Sequence, residues 1–410
     1  MERYSEYKDS GVQWLGEIPG HWRCVLIHRL FNIKAGGDVK PDFFSDKKDD
    51  SHPYPVYTNT KSANDIYAYT SLATCPGNSI TVTGRGEVGH AIYREKPYDA
   101  IIRLLSLSPK NTNIVCKFYA YFIDTVIPFT SDSAAIGQLS AIQIKAKHVT
   151  LPSLSEQHSI VSYLDDKCGK IDKMLEGKQK QIELLAEMKQ RIIADAVTRG
   201  LNPDVKMKAT NIPWLPEIPE HWELRKMKYL FRERSEKNHP TEPMLSATQT
   251  HGVILQSKYS GRVVVVNTGF EGLKLVKVGD FVIHLRSFQG GIELAYDQGI
   301  ISSAYTILSL NDSTQSDYFR YLFKSIPFID LLKTCVTGIR EGQNINYAKL
   351  KQNRIPLPPL DEQRSIVSYI TDKTAKIDTL TGKLQQEIES IKEYKQRLIS
   401  DVVTGQIKVC

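Results

Sequence analysis

Residues 151–172 read LPSLSEQHSIVSYLDDKCGKID, and residues 357–378 read LPPLDEQRSIVSYITDKTAKID. Extended without a gap over 151–198 and 357–404, the two stretches are identical at 26 of 48 positions. A second pair lies upstream. WLGEIPGHW at 14–22 is answered by WLPEIPEHW at 214–222, identical at seven of nine positions, and Leu30-Phe31 is answered by Leu230-Phe231. Just before the long stretches, Ile136-Gly137-Gln138 and Glu341-Gly342-Gln343 occupy matching places. A repeat on this scale decides the architecture. The chain is two units, each a globular region followed by a helix: 1–150 with 151–200, then 201–356 with 357–410.

The two halves are unequally alike. Residues 32–130 and 232–335 share no defensible alignment. Uniform drift after duplication would blur every part similarly. A framework kept and a centre changed point to two copies of one device aimed at different targets.

The long stretches carry helix punctuation. Ser155 or Asp361 is the expected N-cap, and Glu156 or Glu362 is favourable in the first turn. No proline falls within 155–198 or 361–404. Apolar residues recur close to every 3.5 positions at Leu164, Ile171, Met174, Ile182, Leu185, Ile192 and Ala196. The second stretch matches with Ile370, Ile377, Leu380, Ile388, Ile391, Leu398 and Val402. That spacing predicts a coiled-coil seam, with the two helices burying their stripes against each other. About 40 residues at 1.5 Å each span roughly 60 Å. The competing reading is a pair of ordinary amphipathic helices, each packed on its own domain.

The 410 residues exceed what one ordinary core accommodates. At 41% hydrophobic and 24% charged, the composition is that of a soluble globular protein. A net charge of +7 favours a polyanionic partner without establishing one. The six cysteines form no C-x-x-C pair, which argues against a zinc ribbon, a redox dithiol or a disulfide scaffold. The opening MERYSEYKDS has no apolar core, and no run reaches the roughly 18 apolar residues of a membrane span. A cytoplasmic protein with no membrane partner is expected.

Taken together and in this twice-repeated order, these motifs resemble the specificity subunits of type I restriction–modification enzymes: W-L-x-E-I-P-x-H-W, the G-Q pair, and L-P-x-L-x-E-Q-x-x-I-V-x-Y. The resemblance covers essentially the whole chain. It implies two mixed α/β (α+β) target recognition domains, pseudo-twofold repeated, joined by two long antiparallel coiled-coil helices. Each domain would read one half of a split site in double-stranded DNA. It also implies two modification subunits carrying an adenine methyltransferase, and two restriction subunits carrying an ATP-dependent motor and nuclease. S-adenosylmethionine, ATP and magnesium would then belong to those partners, and no cofactor is expected in this chain. A spacer of roughly 60 Å exceeds one B-DNA turn of about 34 Å, which suits two half-sites around an unread gap. Differing centres predict an asymmetric site. Methylation requires the target base to be flipped out while the duplex is held. Outer helix faces, around Lys178 and Lys383, are expected to dock the modification subunits.

Within the globular regions, strands are expected at Ser79–Thr83, Val263–Val266, Phe281–Leu285 and Ile300–Leu308. Gly84-Arg85-Gly86-Glu87-Val88-Gly89 lies between two strands, and Arg286-Ser287-Phe288-Gln289-Gly290-Gly291 follows one. Glycine permits close backbone approach to a phosphate, and Arg and Gln make bidentate contacts with guanine and adenine edges. A plain hairpin turn with a solvated arginine fits either segment equally well. Further candidates are Lys61, Asn64, Lys258, Arg262, Arg340, Gln343 and Asn344, with Tyr57 and Tyr259 placed to pack on sugar or phosphate. Gly137-Gln138 and Gly342-Gln343 could instead be framework. Trp14, Trp22, Trp214 and Trp222 read as packing, since they sit in the shared frame.

No catalytic motif emerges. Residues 84–89 match G-x-G-x-x-G, but HAIYREKP follows where a dinucleotide site needs a helix. No P-loop, H-E-x-x-H, G-x-S-x-G or amino-methyltransferase N/D-P-P-Y/F segment is present. Pro41-Asp42 and Asp46-Lys47-Lys48 lie too close together, in a charged run, to converge on a metal. A non-catalytic DNA-reading subunit is expected. A coiled-coil scaffold without DNA binding is the alternative, and a salt-dependent DNA-binding assay separates the two.

Overall fold

The computed structural model describes residues 2–62, 64–129, 138–261, 268–311, 316–337 and 344–409. The chain divides into two compact units, Met1–Gln179 with Gln385–Cys410, and Lys180–Leu384. The first unit therefore contains both chain termini.

In the first unit, a four-stranded antiparallel sheet runs in the order Phe31–Ala35, Leu105–Pro109, Ser79–Val82, Ala91–Arg94. Strand alternation turns Phe31, Ile33, Ile80, Val82, Leu105 and Leu107 inward. The helix Cys116–Thr125 covers that face with Phe118, Tyr119, Phe122 and Ile123. A second sheet joins Asp99–Ala100, Tyr54–Tyr57, Ala68–Thr70 and Phe44–Ser45. Strand Arg23–Leu26 pairs with His148–Leu151, tying the opening motif to the segment just before the first long helix.

The second unit repeats this plan where its sequence shows no alignment. Its main sheet runs Phe231–Arg234, Thr306–Leu310, Phe281–Ile283, Glu293–Leu294, which is the same order. Glu223–Lys226 pairs with Arg354–Leu357. Two helices, Ser316–Lys324 and Ile326–Thr334, pack where the first unit has one. Two of the expected strands differ. The strand from Phe281 ends at Ile283, because His284–Arg286 turn away. The run 300–308 is two strands, Gly299–Ile301 and Thr306–Leu310, parted by a turn in which Tyr305 N–H bonds Ser302 O. Val263–Val266 lie outside the described residues.

The long helices are Leu154–Arg199 and Leu360–Val403. The first is capped two residues earlier than expected. Ser153 Oγ accepts from Glu156 N at 3.3 Å while Ser153 N donates to Glu156 Oε2 at 3.0 Å, a reciprocal capping box. Pro359 holds the matching place in the second helix. The adjacent glutamines are buried, and their side-chain amides donate to Pro152 O at 3.1 Å and Pro358 O at 2.9 Å. This accounts for the L-P-x-L-x-E-Q pattern.

Within the first unit, Asp172 pairs with Lys395 and Lys178 with Glu387, so the two helical segments run antiparallel. Within the second, Lys189 pairs with Asp378. Leu164, Ile171, Ile370, Ile377, Ile388 and Leu398 are buried, and Ile182, Leu185, Ile192 and Ile391 are half-buried. Met174 and Leu380 do not join the seam; they are 54% and 47% exposed. At 3.6 residues per turn, the inward places fall to Leu175 and Leu384, seven residues beyond Cys168 and Ile377, which turns the other two away. Lys178, seven residues after Ile171, borders the seam in its ion pair instead of lying on an outer face; Lys383 is exposed.

Candidate nucleic-acid interface

In the first unit the two polar segments singled out above come together. The Gly84–Gly89 turn connects strands Ser79–Val82 and Ala91–Arg94. Asn59 reaches it from the Tyr57–Lys61 segment: its Oδ1 accepts from Gly84 N at 2.7 Å and Arg85 N at 3.2 Å, and its Nδ2 donates to Ile102 O at 2.6 Å. Lys61 pairs with Glu87, and Arg85 forms an isolated bridge with Gln138. His90 closes the arrangement, with Nε2 2.8 Å from Lys61 O and Nδ1 2.5 Å from Asp124 Oδ1. The hydrogen bond to Asp124 chiefly raises the pKa of His90, against the opposing effect of burial. Both ring nitrogens face acceptors, an arrangement that imidazolium satisfies fully.

Charge pairing separates the candidates. Lys61 already has Glu87, and Lys258 has Asp297 at 2.7 Å. Arg85 and Arg286 are exposed and have no carboxylate partner among the described residues. Asn64 is exposed on the same polar segment as Lys61.

In the second unit, Arg286 and Gln289 stand exposed on the turn between strands Phe281–Ile283 and Glu293–Leu294. The short strand Asn344–Ile345, which carries Asn344, lies against that turn. Lys258 does not join them; it sits on the Gln256–Lys258 turn, bound to Asp297. Arg262, Arg340, Gly342 and Gln343 lie outside the described residues, as does Gly137.

The glycines of these turns serve mostly internal packing. A side chain at Gly291 (φ +88°) would strike the carbonyl of Phe323, whereas Gly86 (φ +70°) faces open space. Gly86 alone retains the freedom that close approach to a phosphate needs. Tyr57 is not free to pack on sugar: the Arg94 guanidinium stacks over its ring at 3.5 Å. Tyr259 packs edge-on to His251. Trp22 and Trp222 are fully buried and Trp214 packs against Phe328, but Trp14 is 37% exposed and packs less than expected. Sequence reasoning passed over Asn59 and His90, because neither side chain announces the backbone groups it will meet.

The family model of the type I restriction modification DNA specificity domain matches twice, over residues 19–184 and 218–390. The chain belongs to that family. This specificity subunit is 27% identical over 342 residues to the MjaX type I specificity subunit of Methanocaldococcus jannaschii, covering 78% of this chain and 75% of that protein. It is 19% identical over 415 residues to the EcoDI specificity subunit of Escherichia coli, covering 96% and 90%. A solved chain from work on assembly and conformational transition of the type I R-M system shares the fold, with a TM-score of 0.68 at 13% identity over 95% of this chain and 99% of that one. The specificity subunit thus carries the family domain twice, once for each repeated half.

Proposed function

We propose that each unit reads one half of an asymmetric, split DNA site, that the long helices set the unread gap, and that the chain has no catalytic role of its own. The observation that supports this best is one sheet order carrying two unlike polar edges. One edge is centred on Arg85 and the other on Arg286 with Gln289. A shared frame with different guanidinium-bearing turns is what two readers of different sequences require.

The partners follow from the same reading. Two modification subunits supply adenine methylation with S-adenosylmethionine, and two restriction subunits supply ATP- and magnesium-dependent translocation and cleavage, all in the cytoplasm. Docking of the modification subunits is favoured at the helix pair of the second unit. There Leu184 and Met188 (both 55% exposed) and Leu380 lie on a shallow groove of about 290 Å³ with Leu185 and Leu384. Exposed apolar residues grouped this way on a helical pair suit a partner helix. Leu184→Glu with Met188→Glu is expected to abolish co-purification of the modification subunit while leaving the chain folded.

The deciding experiment maps methylated adenine genome-wide with and without this gene, keeping the modification subunit intact. Loss of one asymmetric split motif with a fixed gap establishes the reader role. An unchanged map, with both proteins expressed, removes it.

A further inference from the structure

We infer that Lys324, Glu293 and His284 form an internal strut that holds the Arg286–Gly291 turn in its reading conformation, making them positioning residues for sequence discrimination by the second unit. The inference rests on the reading of that turn as a DNA-contacting element.

Lys324 ends the helix Ser316–Lys324, and its ammonium has three acceptors. It donates to Gly290 O at 2.9 Å within the turn, to Gln249 O at 3.1 Å at the neighbouring hairpin tip, and to the carboxylate of Glu293. These three acceptors use every proton an ammonium has. Glu293 is 1% exposed and opens the strand that leaves the turn. His284 stands across from it at 3.7 Å on the strand-exit side, with Nε2 toward the carboxylate. On its other edge, His284 Nδ1 accepts from the backbone N–H of Arg286 at 3.2 Å. That acceptor role assigns the ring proton to Nε2, where Glu293 favours it. Lys324 therefore ties a packed helix to the turn directly at Gly290 O. The buried carboxylate it holds lies 3.7 Å, beyond hydrogen-bond reach, from the imidazole that accepts from the backbone of the exposed arginine.

The turn has further internal bonds. His284 N donates to Ser287 Oγ at 2.9 Å and Gly291 N to Ser287 O at 2.8 Å. None of them links the turn to the body of the unit. Lys324 does so, and it holds the 248–252 hairpin to the turn with the same ammonium. Burying a carboxylate and an ammonium together is a weak source of stability, because desolvation offsets most of the attraction. What such a pair secures is one arrangement among several. The described residues of the first unit hold the Arg85 turn differently, through the neutral amide of Asn59 and through His90 paired with Asp124 of the helix Cys116–Thr125. The effect of the strut should accordingly be confined to one half-site.

The test uses the chain co-expressed with its modification subunit and reads methylated adenines genome-wide, after an exchange of residues 232–335 has assigned one half-site to the second unit. K324M alone leaves Glu293 as an unpaired buried ion and is expected to destabilise the unit. The double variant K324M/E293Q removes both charges at nearly constant volume. It should unfold as cooperatively as wild type and methylate sites with a mismatch in the second half-site about tenfold more often, while still rejecting mismatches in the first. H284F should relax the same half-site with both charges in place. Unchanged discrimination in a folded double variant overturns the strut, as does equal relaxation at both halves. A wild-type map without any split motif sinks the underlying reading instead, and is distinguishable because it appears before any variant is made.

Discussion

The indole Nε1 of Trp22 donates to Glu156 Oε1 at 2.9 Å, so the last residue of the first repeated motif is bonded to the first turn of the helix that the second motif opens. His21 Nε2 reaches the same oxygen at 2.8 Å. In the second unit, His221 meets Glu362 at 2.7 Å, and Trp222 Nε1 is buried without a hydrogen-bond partner among the described residues. Two motifs more than 130 residues apart in sequence are thus one joint, made once in each unit.

Glu156 makes that joint sensitive to acid. Burial opposes its ionisation, but hydrogen bonds from Trp22, His21 and Ser153 outweigh burial and hold its carboxyl at about 2. A carboxyl depressed on folding stabilises the protein above its unfolded value, near 4.3, and loses that contribution as pH falls toward 2. E156Q should cost about 1–3 kcal/mol at pH 7. Denaturant unfolding of the two proteins should then converge between pH 4 and about 2; a gap as wide at the acid end would contradict the assignment.

Gly405 and Gly200 end the two long helices in the left-handed region, at φ +79° and +77°. A Cβ on Gly405 would run into the Pro19 ring, whereas one on Gly200 would meet Glu362 Oε1 at 3.0 Å and Trp222 at 3.2 Å. The carboxylate can shift and the proline ring cannot. G405A should cost about 2–4 kcal/mol and G200A about 1–2 kcal/mol, measured by urea unfolding. The opposite ranking would show that helix ending, not the Pro19 contact, dominates.

Arg85 and Lys61 differ in what DNA would have to displace. Lys61 is already paired with Glu87, while Arg85 has no carboxylate partner among the described residues. R85A should weaken binding to the cognate duplex by about 10- to 100-fold, with K61A within about threefold of wild type. Equilibrium titration at one fixed salt concentration checks this, and equal losses would show that Glu87 releases Lys61 on binding.

His90 holds the Lys61 segment to Asp124 with both ring nitrogens. The hydrogen bond to Asp124 raises its pKa on folding. A raised value means the stabilisation is complete below the unfolded pKa of about 6.5 and is lost as pH rises through the folded one. NMR titration of the His90 ring should give a midpoint above about 6.5 that D124N lowers. Hydrogen exchange of the Gly84–Gly89 amides should quicken over the same pH range.

The repeat, the two helices and the family were legible because they depend on residue order alone. Seven identities in nine positions and 26 in 48 survive any uncertainty about contacts. Proline-free stretches with a near-heptad stripe announce long helices whatever they pack against. Even so, the helix is capped by Ser153 and not Ser155, since S-x-x-E caps only where the backbone N–H groups are free.

The sheet shared by 32–130 and 232–335 left no trace in sequence, because an antiparallel frame asks only for inward apolar residues at alternate positions, which many sequences provide. The two candidate turns were legible as glycine- and arginine-bearing segments. Which cations stay free was settled by carboxylates distant in the chain: Glu87 for Lys61 and Asp297 for Lys258. The groups beneath the turns are the most dependent on tertiary structure. Asn59 and Lys324 act on backbone carbonyls and amides 25 to 75 residues away, and backbone groups look the same at every position of a sequence. Residue order therefore determined that this chain is a twice-built DNA specificity subunit. Folding decided which of its charges are paired inside and which stay exposed without a carboxylate partner among the described residues.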